Sequence, residues 1–324
     1  MPGSIRACGT TVADDIAALD RFVAAAPAAG PPSVRRDTLR RLLRHPSFRT
    51  GLGLFAIVVA AAAFVPLISP ADPNKLAMRA RFLPPSWEYL FGTDNFGRSQ
   101  LARVVYGAQL SLMIGTSVVV LNAVFGTLIG ALSGYFRRLD NSLMRFNDAL
   151  MAFPAIILAI ALMAALGPSV VNVILAIGIV YSPRVARVVR GSVLVIRETA
   201  YVEAARALGA GDATLIGRHV LPNCLSPVIV QGSFVFAAAV LTEAALSFLG
   251  VGVPPFVPSW GNVLSDGRLY LQQAPWLVLY PGAAIMMTIL GLNLFGDGLR
   301  DLLDPKLSGD SVQESRGLQT QRAS

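Results

Sequence analysis

Side chains that could do chemistry are scarce in the apolar stretches of this sequence. Glu243 is the only acidic residue deep within such a stretch, and both histidines, His45 and His219, lie in charged segments. A proton relay across the apolar region would need several titratable groups at different depths, so proton-coupled transport is disfavoured. No nucleophile lies near a base, and no cluster of ligands has the spacing of a metal site. The sequence therefore predicts no catalytic residue, no metal site and no enzymatic activity.

The sequence also lacks the glycine-rich loop that binds nucleotide phosphates. The pattern G-x-x-x-x-G-K-[ST] does not occur, and neither lysine, Lys75 or Lys306, follows a glycine in such a context. We therefore expect this chain to hold no cofactor of its own. ATP and Mg²⁺, if they are used, must be bound by other subunits.

The elements that must position the few polar groups are membrane helices. The chain has 324 residues, of which 54% are hydrophobic and only 14% charged, against about a quarter charged in ordinary soluble domains. Long uncharged runs separate the charged segments, as in proteins that cross a bilayer several times. This composition excludes disordered, collagen-like and nucleic-acid-binding proteins. The sequence predicts an all-α, polytopic membrane protein that contacts the lipid bilayer and no nucleic acid.

Six uncharged runs predict six transmembrane helices. The first run, 51–69, would form a helix about 28 Å long, which matches a hydrocarbon core of about 30 Å. A cleaved signal peptide is the alternative for this run, but about 50 residues precede it, far more than a normal n-region. The long run from 149 to 182 is divided by the turn sequence Gly167-Pro168-Ser169. The predicted spans are 51–69, 110–136, 149–166, 170–189, 225–251 and 276–295.

The distribution of basic residues orients these spans. Lys and Arg number 21 on the side that holds both termini and the 184–223 loop, against six on the other side. The positive-inside rule therefore places both termini in the cytoplasm and the 70–108 and 252–275 loops outside. The predicted domains are a cytoplasmic tail with a basic juxtamembrane segment, a transmembrane domain and a second cytoplasmic tail, at 1–50, 51–307 and 308–324.

The cytoplasmic loop between the fourth and fifth spans has an informative arrangement of small residues. It predicts a short helix from Thr199 to Leu208 and a break at Gly209 to Gly211. A second short helix should follow, capped by Asp212 and ended by Pro222. The alternative is an ordinary amphipathic helix on the protein surface.

The same loop resembles the EAA loop of permease subunits of ABC importers, E-A-A-x3-G-x9-I-x-L-P. The matching residues are Glu203, Ala204, Ala205, Gly209, Leu221 and Pro222, and His219 stands where the pattern has an apolar residue. The resemblance implies that residues 197–223, the coupling segment, dock on an ATPase subunit. Small Ala204 and Ala205 would permit a close approach to that partner.

Three further stretches resemble the C-type permease subunit of dipeptide and oligopeptide importers. They are FGTD at 91–94 with Gly97, Arg98, Arg103, Gly107, Ser111 and Leu112; EA and LSFLG at 243–250 with PP and PSWG at 254–261; and NLFGDGLRD at 293–301 with LDP at 303–305. The resemblance covers about 38–307. The sequence departs from the family pattern at Ser99, Ala102 and Gln109.

The resemblance implies a type I permease fold in a bacterial cytoplasmic membrane. The implied partners are a second homologous permease, two ATPase subunits and an extracytoplasmic solute-binding protein. Transport would proceed by alternating access, with a di- or oligopeptide as substrate and nickel or haem as alternatives. A self-sufficient secondary transporter is the rival, but the repeats and buried ion sites expected of one are not recognisable in the sequence.

Several polar residues are candidates for roles at the outer face. Thr93, Asp94, Arg98 and Trp260 are candidates for a docking site or gate. Asp94 and Arg98 should be solvated, and Thr93 or Asp94 would equally serve as the N-cap of a helix that enters the second span. Glu243 is a candidate for the translocation path or a contact with a partner subunit, and a purely structural carboxylate is the alternative.

Overall fold

The computed structural model describes residues 45–68 and 72–303. Nearly all regular structure in these ranges is helical, and the only β-type pairing in them is an isolated bridge between Thr93 and Ser99. The all-α fold class is therefore confirmed. The predicted C-terminal tail and residues 1–44 of the predicted N-terminal tail lie outside the described residues.

Nine α-helices follow one another in the described ranges, and the connections between them include two short 3₁₀ turns. The helices are α1 Pro46–Ile68, α2 Gln100–Tyr135, α3 Arg137–Met151, α4 Ala155–Leu166, α5 Val170–Ile196, α6 Ala200–Ala207, α7 Asp212–Phe248, α8 Trp260–Gly267 and α9 Trp276–Leu303.

Five of these helices are long and apolar enough to cross a membrane, namely α1, α2, α5, α7 and α9. The third predicted span, 149–166, does not form as one straight helix. Helix α3 ends at Met151, α4 begins at Ala155, and the two axes meet at 92°. Pro154 explains the break, because a proline disfavours helical backbone at the residue before it. With only 12 residues, α4 is about 18 Å long, so a sixth crossing exists only if the bent pair counts as one span.

The other spans extend beyond their apolar runs. Helix α2 begins at Gln100, ten residues before the predicted start of the second span, and α5 and α9 continue to Ile196 and Leu303. Hydropathy marks only the part of a helix that lies in hydrocarbon, while the backbone hydrogen bonds continue into water. The helices are therefore longer than the apolar runs that predict them.

The centre of the bundle is the contact between α2 and α5. Gly126, Gly130 and Gly134 lie four residues apart on α2. A Cβ atom added at these positions would lie 2.7, 2.5 and 2.8 Å, respectively, from the nearest atom of α5. Only glycine permits this close approach. The two backbones are thereby held together along the C-terminal half of α2, around buried Val189 and Val193.

Candidate functional site

The first half of the coupling segment folds as the sequence predicts. Helix α6, Ala200–Ala207, is followed by a turn in which the Gly209 amide donates to the Arg206 carbonyl and the Ala210 amide to the Ala205 carbonyl. These two bonds form a Schellman motif, which requires a left-handed residue after the helix end. Gly209 supplies it, with φ of +88°.

Helix α6 has both exposed and buried side chains. Glu203 and Ala204 are exposed and Leu208 is 89% exposed, whereas Val202 is fully buried and anchors the helix. The amide of Asn223 donates to the Tyr201 hydroxyl over 3.2 Å, and the His219 ring lies against the Tyr201 ring. His219, which departs from the family pattern, therefore helps to hold α6 against the start of α7. Glu203 is exposed on α6, so its carboxylate faces outward.

The second half of the coupling segment differs from the prediction. Gly211, not Asp212, occupies the N-cap position, and Pro222 does not end a helix. Helix α7 begins at Asp212 and continues through a π-helical stretch, Leu215–Val220, without a break. A π-turn is wider than an α-turn and accommodates a proline whose ring would otherwise meet the preceding carbonyls. Leu221 and Pro222 therefore lie within α7, directly after the π-helical stretch, and do not terminate a helix.

The predicted outer-face residues Thr93 and Asp94 are buried, contrary to the expectation that Asp94 is solvated. The Thr93 hydroxyl accepts from the Leu83 amide, and Asp94 accepts from the amides of Phe96 and Arg98. Asp94 is 1% exposed. Both residues therefore close the outer loop on itself. Neither caps α2, because the Ser99 side chain accepts from the Ala102 amide in that role.

Two arginines and two aspartates form an ionic cluster at the outer end of α2. Asp94 lies 2.6 Å from Arg98 Nε and 3.2 Å from Arg103 Nη1, and Asp266 of α8 lies 2.9 Å from the same Arg103 nitrogen. Arg98 and Arg103 are largely buried. An arginine on the apolar face of a helix needs such partners, because an unpaired buried charge is costly. Arg103 matches the family pattern but was not among the candidate site residues, although a charge on an apolar helix face was a usable signal. Asp266 had no comparable signal in the sequence.

Trp260 and Glu243 are also buried within the helical bundle. The Trp260 indole donates to the Val104 carbonyl over 3.0 Å and is fully buried, so it forms no exposed gate. The Glu243 carboxylate is fully buried and accepts from Ser111 and Ser247, each over 2.9 Å. It therefore connects α2 and α7 within this chain and is not exposed on the surface of the described chain.

Comparison with known proteins gives this arrangement a family. The model described as "Binding-protein-dependent transport system inner membrane component" matches residues 123–309, and the model described as "N-terminal TM domain of oligopeptide transport permease C" matches residues 33–85. The first match includes the whole coupling segment, and the second includes α1.

Relatives with assigned names agree with these matches. A Brucella abortus protein with the provisional name of a peptide transport system permease is 56% identical over 83% of this chain and 91% of its own. The dipeptide transport system permease DppC of Alkalihalophilus pseudofirmus is 43% identical over 84% and 90%. The di/tripeptide transport system permease DppC of Pseudomonas aeruginosa is 41% identical over 87% and 97%. The chain therefore belongs to the family of inner membrane components of binding-protein-dependent transport systems.

Proposed function

We propose that this chain is one of two unlike permease subunits of an ATP-driven importer of di- or oligopeptides. The relatives named as dipeptide and di/tripeptide permeases support this substrate class. The structural observation that carries the proposal is the coupling segment. It combines an exposed short helix, a left-handed glycine and a direct continuation into the membrane helix α7.

In this proposal, ATP hydrolysis by partner subunits supplies the energy for transport. Two ATPase subunits bind ATP and Mg²⁺, and their closure pushes on α6, whose exposed Glu203, Ala204 and Leu208 form the docking face. Val202 holds α6 to its own chain, so the movement passes into the membrane helices rather than into a loose loop. The spans of this chain and of a second permease then open alternately to each side, and a solute-binding protein delivers the substrate outside.

The proposed substrate is tested on the solute-binding protein that serves this importer. Purified without denaturation, it should retain short peptides, which mass spectrometry of the released ligand would identify. Retention of nickel or haem instead would replace the substrate class and leave the permease role unchanged.

The proposal that ATP is bound by separate subunits can be tested with purified proteins. This chain alone should neither bind nor hydrolyse ATP, while the complex purified through a tag on this chain should do both, because no nucleotide-binding loop occurs in the sequence. ATP hydrolysis by the isolated chain would contradict the permease assignment. Substrate uptake by liposomes that contain this chain alone would instead indicate a self-sufficient secondary transporter.

The proposed orientation predicts which cysteines are accessible in intact cells. Ser86 and Ala213 are both exposed, in the loop before α2 and in the coupling segment respectively. In a chain with Cys8 replaced and buried Cys224 retained, Ser86→Cys should react with an impermeant maleimide in intact cells. Ala213→Cys should react only after permeabilisation, because the positive-inside rule places it in the cytoplasm. Labelling of Ala213→Cys in intact cells would invert the topology.

A further inference from the structure

The C-terminal end of α2 forms hydrogen bonds with the chain just before α6 and with the chain just after it. Arg197, at the end of α5, donates to the Gly134 carbonyl over 2.9 Å. The Tyr135 hydroxyl donates to the Asp212 carboxylate over 2.7 Å, and Arg206 of α6 lies beside the same hydroxyl. The last turn of α2 therefore contacts the chain immediately before the coupling helix and immediately after its glycine turn.

These two attachments differ in what surrounds them. The Arg197 bond lies beside the close α2–α5 contact, where a Cβ atom at Gly134 would meet Val193 at 2.8 Å. Such packing leaves little freedom for one helix to shift against the other. The Tyr135 bond lies at the surface, between a half-buried ring and an exposed carboxylate. It joins the last turn of α2 directly to a side chain of the coupling segment.

Helix α2 connects this point to the opposite face of the chain. Its 36 residues extend about 54 Å, enough to cross the bilayer completely. Near its outer end, Arg103 contacts Asp266 of α8, and Ser111 donates to Glu243 of α7. A displacement of the last turn of α2 is thus carried by one continuous helix to both outer contacts.

We propose that Tyr135 is the positioning residue through which the coupling segment moves α2. Its hydroxyl, bound to Asp212, makes the last turn of α2 follow the rotation of the segment after Gly209. The inference rests on the proposed function, since it assumes that an ATPase subunit moves α6. Tyr135 contributes to the transmission of movement and not to substrate binding, because it lies at the cytoplasmic end of the helix in the proposed orientation.

The test is Tyr135→Phe in the complex purified with this chain and reconstituted in liposomes. Phenylalanine keeps the ring and its edge contact with Phe136, whose centroid is 5.1 Å away, and removes only the hydroxyl. The probe is a mixture of isotope-labelled di- and tripeptides, supplied with the solute-binding protein. We expect ATP hydrolysis to persist and the peptide transported per ATP to fall about two- to tenfold, the effect of one hydrogen bond on an equilibrium.

Tyr106→Phe is the matched control, because Tyr106 is a half-buried tyrosine of the same helix near its outer end. It should leave the ratio of transport to ATP hydrolysis unchanged. Asp212→Ala should lower the ratio like Tyr135→Phe, and the double variant should be no worse than either single variant. A normal ratio in Tyr135→Phe, or losses that multiply in the double variant, would overturn the inference. A wild-type complex that hydrolyses ATP but transports none of the probe would contradict the proposed peptide substrate instead.

Discussion

Replacement of Gly209 by valine should uncouple ATP hydrolysis from transport while leaving the chain inserted in the membrane. The φ angle of +88° at Gly209 is one that a β-branched residue adopts only under strain, at a cost of about 1 to 3 kcal/mol. No atom lies within 4 Å of a Cβ built at this position, so the backbone alone produces the effect. The population of the correct turn should fall by a factor of about 5 to 150, and transport by the reconstituted complex should fall with it.

Two further variants separate backbone strain from added volume. Gly217→Val makes the same change in the same segment, where the glycine is exposed, has no left-handed φ and also has open space around it. It should transport normally. Gly209→Asn should recover part of the activity, because asparagine tolerates the left-handed conformation better than valine. If Gly209→Val and Gly217→Val complexes transport equally well, the glycine turn has no part in coupling.

Replacement of Asp94 by asparagine should destabilise the outer half of the protein. The side chain keeps its shape, but buried Arg103 then faces an amide and retains only Asp266 as a charged partner. Removal of one partner from a buried ion pair costs about 3 to 5 kcal/mol. The purified complex should therefore melt at a clearly lower temperature, with a lower yield of monodisperse protein after detergent extraction.

Asp72→Asn is the control for this change. Asp72 is exposed, and among the described residues its side chain accepts only from the Asn74 amide, a bond that an asparagine oxygen can also accept. Its melting temperature should equal that of the wild type. The melting temperature of Asp266→Asn should lie between those of Asp94→Asn and Asp72→Asn. The Asp266 side chain is 40% exposed, so water replaces part of the lost interaction. Equal melting temperatures for Asp94→Asn and Asp72→Asn would show that the cluster does not stabilise the fold.

The helical architecture could be predicted because its causes are local. A bilayer leaves unpaired backbone groups no water to bind, so a long uncharged run must be helical wherever it crosses. The turn at Gly209 is also local, since a left-handed residue after a helix is usually glycine. The break before α4 also has a sequence signal, which is Pro154. The predicted span 149–166 follows the uncharged run and includes this proline. At Pro222 the reverse occurred: the sequence predicts a helix end, but the helix continues. The π-helical stretch that accommodates this proline has no clear sequence signature.

The fold class, the family motifs and the position of the coupling segment follow from local sequence, because each depends on residues within one turn or one apolar run. Which polar groups meet depends instead on how the helices pack. Tyr135 and Asp212 are separated by 77 positions, Ser111 and Glu243 by 132, and Arg98 and Asp266 by 168. Such pairs form only when the helices pack together, and a polar group that this packing buries, such as Glu243, is stable only with a partner. The same packing turned Asp94, predicted to be solvated, into the buried centre of the outer ionic cluster.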